Sequence, residues 1–405
     1  MGKLKIKKVD PETCDILILS ASYGGGHNQV ARTLTQSIQS LAPETRITTV
    51  NYNDLLLPFV TRLTQFGYFN SIRHFPFGYA LYYRMTGEIS PESFWQKRLN
   101  RMGYAELLQL VKRLQPRLII ATFPLPAGVL SEMKGANDIN VPLVTVITDI
   151  CVHSQWIHPY TDLYIVGASE QINGLNSRGI PKNRIVATGI PIKPDFNRHF
   201  DPAEVRREFK LRPDSKVVLF MGGNDGLFGN TNLTSLFGDL PDNVQVLVIS
   251  GNNNNLYDKL QTLKPKLPNL IVLKFVEQMA GLMEIADVLV TKAGGITISE
   301  ALARGLPMVI YKPLPGHEES NANYLWRKRA AIIAKSDHRL KTAVRRMVAD
   351  EDFLQRFRLN CRKLGSPESA ETCARLILGV LPPPPRYNVL AYPPQYSNTP
   401  VPIKS

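Results

Sequence analysis

Two glycine-rich turns, each directly behind a run of aliphatic residues, open the two halves of this 405-residue chain. The first is Ser20-Ala21-Ser22-Tyr23-Gly24-Gly25-Gly26-His27, after Asp15-Ile16-Leu17-Ile18-Leu19. The second is Met221-Gly222-Gly223-Asn224-Asp225-Gly226, after Val217-Val218-Leu219-Phe220. Each reads as strand, tight turn, then helix. Consecutive glycines let backbone N–H groups approach a ligand at a helix N-terminus, where the helix dipole favours negative charge. Two such units in one chain predict two doubly wound α/β domains with a ligand held between them. The length points the same way, being too great for one ordinary core.

Composition narrows the class. With 44% hydrophobic and 20% charged residues the chain is globular. Its four cysteines (Cys14, Cys151, Cys361, Cys373) form no C-x-x-C pair, which argues against a disulfide framework or structural zinc site and fits a reducing compartment. The start, Met1 to Lys8, is basic and lacks the apolar run of a signal peptide. No stretch reaches the roughly 18 apolar residues of a membrane span. The net charge of +14 calls for an anionic partner: a phosphate ligand, nucleic acid or an anionic membrane surface. A merely soluble basic protein is the plain alternative.

Strand and helix signals alternate in both halves. Val30, Leu34, Ile38 and Leu41 recur at near-helical spacing, and the runs 118–123 and 141–147 read as buried strands. Further strand runs fall at 217–221, 244–250, 270–275, 287–291 and 307–311. Residues 55–104 interrupt this rhythm with 12 of the chain's 34 aromatic residues, Phe66, Tyr68, Tyr82, Tyr83 and Trp95 among them. The same segment carries six Lys/Arg, including Arg84, against Glu88 and Glu92. Rings with cations suit a membrane interface. An ordinary aromatic core, or stacking on single-stranded nucleic acid, would use the same residues. The basic residues form no recognisable nucleic-acid module, so no nucleic-acid partner is expected.

Several side chains carry chemistry. Thr291-Lys292-Ala293-Gly294-Gly295-Ile296-Thr297 follows a strand, and its glycine pair can receive a phosphate at a helix start. Glu300, further along that helix, can accept from a vicinal diol such as a ribose. The loop from Tyr311 to Asn323 clusters His317, Glu318 and Asn321, and carboxylates beside amides suit sugar hydroxyls. His27 closes the first turn, where a helix N-terminus lowers an imidazole's pKa and favours a neutral base. Thr148 to Pro159 places Asp149, His153, Trp156 and His158 close in sequence. A metal site there is conceivable but lacks a helical His pair or second carboxylate, so no metal is expected. Asp149 is expected instead as a base or as a partner to His27.

Together these motifs resemble the processive diacylglycerol β-glucosyltransferases of bacteria and the plant monogalactosyldiacylglycerol synthases. More distantly the chain is similar to the N-acetylglucosaminyltransferase that makes lipid II. The resemblance runs from about residue 14 to 378 and rests on Ser22–His27, Thr122-Phe123-Pro124, Thr148–Trp156, Thr188–Ile192 and Thr291 through Gly316. It implies a GT-B fold: two Rossmann-like domains facing a cleft. The implied organisation is a basic stub (1–13), an acceptor and membrane-binding domain (14–190), a linker (191–200), a UDP-sugar-binding domain (201–380) and a proline-rich tail (381–405). By the same resemblance Gly222, Gly223 and Asn224 line the phosphate side and the backbone of Val276 meets the uracil. Gly294, Gly295, Ile296 and Thr297 cradle the diphosphate, Glu300 holds the ribose, and His317, Glu318 and Asn321 meet the donor sugar. Phe66, Tyr68, Tyr82, Tyr83, Arg84, Trp95, His153 and Trp156 fall on the acceptor and membrane side.

The expected reaction is inverting, metal-independent transfer of a hexose from a UDP-sugar to diacylglycerol or a glycosyl-diacylglycerol, at the cytoplasmic face of a membrane. No cofactor is expected beyond the donor. His27 is the first candidate base and Asp149 the second. Gly316-His317-Glu318 replaces the family's usual Gly-Gln-Glu, leaving glucose and galactose both open, with glucose favoured by Gly294-Gly295-Ile296-Thr297. A polyprenyl-linked or soluble acceptor on the same fold, and a non-catalytic nucleotide-sugar-binding protein, are the rival readings.

Overall fold

The computed structural model describes residues 13–22, 25–56, 87, 93, 98, 100–222, 233–238 and 240–383. Phe66, Tyr68, Tyr82, Tyr83, Arg84 and Trp95, the turn residues Gly223 and Asn224, residues 1–12 and the tail from 384 lie outside the described residues.

Among the described residues the frame is two sheets of six strands, all pairs parallel. The first sheet comprises β1 (Ile16–Ser20), β2 (Ile47–Asn51), β3 (Leu118–Ala121), β4 (Leu143–Val146), β5 (Leu163–Val166) and β6 (Ile185–Ala187). Its order is β2-β1-β3-β4-β5-β6. The second holds β7 (Lys216–Met221), β8 (Val244–Ile249), β9 (Leu270–Leu273), β10 (Val288–Thr291), β11 (Met308–Tyr311) and β12 (Ala331–Ala334). Its order, β12-β11-β10-β7-β8-β9, is that of a dinucleotide-binding sheet. The predicted doubly wound architecture is therefore present twice.

Every residue of β1, β3, β4, β5 and β10 is buried, as expected for parallel strands covered on both faces. The first strand starts at Ile16, leaving out the Asp15 that opens the quoted run. Asp15 is occupied outside the ladder, accepting from the Arg46 backbone N–H at 2.9 Å and from Arg117 at 3.0 Å. Helix α1 (Gly26–Leu41) buries Val30, Ala31, Leu34 and Ile38 on one face, matching the helical spacing of the sequence.

Topology positions the site. In a doubly wound sheet, ligands bind beyond the carboxyl ends of strands where the strand order reverses. Those points lie between β1 and β3, and between β7 and β10. Of the opening glycine turns, the described residues Ala21-Ser22 and Gly222 leave β1 and β7 there, and so does Lys292-Ala293-Gly294 after β10.

The domains are tied at several places. One apolar core joins Ile16, Val30 and Leu34 of the first sheet's layer to Leu219, Leu289 and Ile298 of the second. The last helix among the described residues, α13 (Ser369–Val380), returns from the second domain to pack against α1. Its Ser369 hydroxyl donates to Ile190 O at 2.9 Å. Gly189, with φ +88°, passes so close that a β-carbon there would lie 2.6 Å from Ser366. The linker is not a loose tether: Ile192 and Phe196 are buried, and Arg304 donates to Asp195 O at 2.7 Å.

Candidate active site

The site forms where the β1, β3 and β4 loops meet helix α9 (Gly295–Ala303) and helix α10 (His317–Arg327) of the second domain. His27 occupies the first turn of α1. Its Nδ1 lies 2.8 Å from Thr122 O, beyond β3, and 3.0 Å from Thr148 Oγ1, beyond β4. A carbonyl only accepts, so Nδ1 carries the proton and donates to Thr122 O. Nε2 is then left with its lone pair, the tautomer a general base requires. The ring packs edge-on against Phe123 at 5.0 Å and lies tilted beside Trp156 at 6.4 Å. Burial lowers the His27 pKa below its ordinary 6.5; Asp149 and the Thr122 carbonyl oppose that shift, and His317 adds to it. The imidazole is neutral at neutral pH. Ser20 fixes the start of the same helix by donating to Asn28 Oδ1 at 2.6 Å.

Asp149 meets the second domain directly. Its Oδ1 accepts from Asn321 Nδ2 at 3.0 Å, and Asn321 Nδ2 also donates to Ala293 O at 2.9 Å. Asn321 Oδ1 accepts from Ile150 N at 2.8 Å. Asn321 is fully buried, so this amide joins the β4 loop to the β10 turn rather than facing open solvent. Gln171 supports the loop from behind, donating to Asp149 O and Cys151 O at 3.0 and 3.1 Å.

Gly294 caps α9 and Gly295 is its first residue. A β-carbon on Gly295 would stand 1.9 Å from Thr148 O and 3.2 Å from Asp149 Oδ1. Only glycine permits this contact between the helix carrying the expected diphosphate site and the loop beside His27. Ile296 lies against Gly26, and Thr297 is half-buried.

Glu300 is buried, and its Oε1 accepts from Gln29 Nε2 at 2.8 Å across the domain boundary. Burial raises its pKa to about 7, with Gln29 and Lys193 holding it down in part. A carboxyl whose folded pKa exceeds its unfolded value stabilises the fold at low pH, and that contribution is lost as pH rises through about 7. Glu300→Gln removes the titration. Unliganded Glu300→Gln is therefore expected to be more stable than wild type by about 3 kcal/mol at pH 8.5, shrinking below about 1 kcal/mol at pH 5. Thermal unfolding of both proteins at the two pH values checks this; a pH-independent difference would contradict it.

The remaining predicted residues are distributed around this junction. Gly222 directly follows β7 at the second switch point. Val276 follows β9 and packs on the shared core. His317 begins α10, and the buried Glu318 accepts from Leu314 N at 2.8 Å, which folds the proline-rich loop back on its helix. His153 is buried with its Nδ1 accepting from Gln155 N at 3.2 Å, so it shapes the turn that presents Trp156. Asp149, His153 and His158 do not form a metal-ligating group; among the described residues no three His, Cys, Asp or Glu do. His158 is enclosed instead, its pKa lowered to about 4 by burial. Thr122 and Thr148 appear in the sequence only as members of motifs with no role of their own, and Gln29 and Gln171 fall in no motif. Both threonines sit at strand ends, the one signal available; the partner of Gln29 is distant in sequence.

With this geometry in place, the relatives are informative. Residues 27–192 match the family described as monogalactosyldiacylglycerol (MGDG) synthase, and residues 217–370 match the glycosyltransferase family 28 C-terminal domain. Over 361 residues the chain is 34% identical to a processive diacylglycerol β-glucosyltransferase of Bacillus licheniformis, covering 88% of this chain and 92% of that protein. The chain belongs to the processive diacylglycerol β-glucosyltransferase family.

A Bacillus subtilis member is likewise 34% identical over 369 residues, covering 90% of this chain and 94% of its own. The fold is GT-B. MurG of Acinetobacter baumannii superposes with a TM-score of 0.61 at 14% identity, covering 90% of this chain and 99% of MurG. WaaG, a glycosyltransferase of lipopolysaccharide biosynthesis, does so at 0.53 and 14%, covering 90% of this chain and 100% of WaaG. This member of the diacylglycerol β-glucosyltransferase family is thus a glycosyltransferase of glycolipid synthesis. Among its described residues no helix is long and apolar enough to cross a membrane.

Proposed function

We propose that the enzyme transfers glucose from UDP-glucose to the free hydroxyl of diacylglycerol at a membrane surface, with inversion and without a metal ion. The observation that carries this reading is the His27 imidazole, held in its Nδ1–H form by Thr122 O, beside a loop in contact with the N-terminus of α9. The acceptor oxygen attacks the anomeric carbon while its proton passes to His27 Nε2. The bond from that carbon to UDP breaks, and the electron pair leaves on the diphosphate. Backbone N–H groups at Gly294-Gly295 meet that charge at a helix N-terminus, which supplies the stabilisation a metal would otherwise give. Asp149 stands near enough to His27 to favour the imidazolium that forms. Glu300 would exchange Gln29 for the ribose hydroxyls when the donor enters. The names of the relatives support glucose and diacylglycerol as the reacting pair.

The test is radiolabel transfer to diacylglycerol in mixed micelles containing EDTA, with UDP-glucose and UDP-galactose supplied separately. Lipid product from UDP-glucose in EDTA is expected. Activity abolished by EDTA and restored by a divalent cation would overturn the metal-free mechanism. Product from UDP-galactose alone would overturn the donor.

A further inference from the structure

A second basic feature lies in the other domain, away from the cleft. Helices α11 (Asp337–Ala349) and α12 (Glu351–Leu364) and the turn before β12 enclose a groove of about 480 Å³. That volume falls within the roughly 300–1,000 Å³ of small-molecule sites. Four cations line it: Arg329, Arg346, Arg356 and Lys363, all exposed. Among the described residues none of the four forms an ion pair. Two of the nearby carboxylates are engaged elsewhere: Glu351 pairs with Lys216 at 2.5 Å, and Asp350 caps α12 by accepting from Phe353 N at 2.9 Å; Asp352 is exposed in the first turn of the same helix and ion-pairs with none of the four cations.

The walls are not simply polar. The rings of Phe353 and Phe357 line the groove with Leu359, which is 54% exposed. Arg346 stacks over Phe353 at 4.0 Å, so one cation is held in place by the ring. Asn360 Nδ2 donates to Arg329 O at 3.1 Å and fixes the turn that presents Arg329. Three residues before that turn, Trp326 is 59% exposed, and Arg329 N donates to its carbonyl at 3.0 Å. Unpaired cations flanked by an exposed leucine and an exposed tryptophan match an amphipathic anion rather than a free one. Aromatic rings settle at headgroup depth, and arginines pair with phosphate there.

We propose that this groove takes the phosphate headgroup of an anionic phospholipid and seats the donor-binding domain on the bilayer. The inference rests on the lipid-acceptor reading above, since an enzyme taking its acceptor from a bilayer works beside such headgroups. It adds a membrane contact outside the domain that carries the aromatic segment.

The full chain is sedimented with vesicles of phosphatidylglycerol in phosphatidylcholine, and with phosphatidylcholine alone, at low salt. Wild type is expected to partition onto the anionic vesicles only. The triple variant Arg329→Gln, Arg356→Gln, Lys363→Gln is expected to bind roughly 100-fold more weakly, at about a fivefold loss per cation. Leu359→Gln, which keeps every charge, is expected to bind several-fold more weakly. A triple variant within about threefold of wild type overturns the proposal, as does wild type that ignores anionic vesicles. So does a Leu359→Gln variant at wild-type affinity, which would make the groove a site for soluble polyanions. Displacement of wild type from vesicles by millimolar glycerol phosphate would likewise assign the groove to a free phosphate. Transfer in neutral detergent micelles is measured alongside. Loss of lipid product there in wild type counts against the acceptor reading, and vesicle binding continues to report on the groove.

Discussion

His27→Ala is expected to slow glucosyl transfer by about 10²–10⁴-fold, the usual contribution of a positioned general base. UDP should still bind with near wild-type affinity, because the phosphate and ribose contacts expected of the second domain do not involve the imidazole. The arrangement around His27 supports the size of the effect. Thr122 O accepts a hydrogen bond from Nδ1–H at 2.8 Å, and Phe123 and Trp156 confine the ring. The site therefore supplies one basic nitrogen in one orientation. Its lowered pKa keeps that nitrogen free below pH 6.5, so transfer should persist on the acid side of an ordinary histidine's range. Single-turnover transfer and UDP titration of the same variant separate the two effects. A variant that turns over at the wild-type rate would remove His27 as the base and direct attention to Asp149.

The second large effect is expected from Gly295→Ala. The added methyl would meet the Thr148 carbonyl at 1.9 Å, and backbone on both sides leaves no flexible group to yield. Either α9 or the β4 loop must move by about an ångström, and misplacement on that scale can cost about 10²-fold in rate. The strain itself amounts to about 1–3 kcal/mol, the usual range for overpacking. Moving the loop also stretches the Asn321–Asp149 hydrogen bond and withdraws Thr148 from His27. The expected result is a loss of transfer of about 10²-fold in protein that still folds. Wild-type turnover would mean that α9 and the Thr148 loop are apart when the reaction occurs.

Much of this organisation was legible in the sequence because it follows from local chain physics. Ile16–Leu19 and Val217–Phe220 are continuous apolar runs with glycine-rich sequence shortly behind them, which marks a buried parallel strand and the turn that follows. β2 was missed because an edge strand carrying Thr48, Thr49 and Asn51 lacks that run. β12 was missed because Ala331-Ile332-Ile333-Ala334 is too short to distinguish from a buried helical segment. Among site residues, His27 and Gly295 were marked by glycines that have few other uses. Gln29, Gln171 and Thr148 act through partners supplied by the fold, such as Glu300 from the other domain, and no local spacing encodes those pairs. Asn321 was read as a contact for sugar hydroxyls; its amide also joins Asp149 to Ala293, a role visible only once the two sheets are placed together.

The central claim is a single displacement, with the acceptor oxygen activated by His27 on one side and the diphosphate leaving toward α9 on the other. The stereochemistry of the product tests it most directly. UDP-α-glucose and diacylglycerol are incubated with the enzyme, and the anomeric proton coupling of the purified glycolipid is read by nuclear magnetic resonance. Direct displacement predicts the β-glucoside. An α-glucoside would contradict it, because net retention requires a route other than one displacement at the anomeric carbon and would leave the base assigned to His27 without its role.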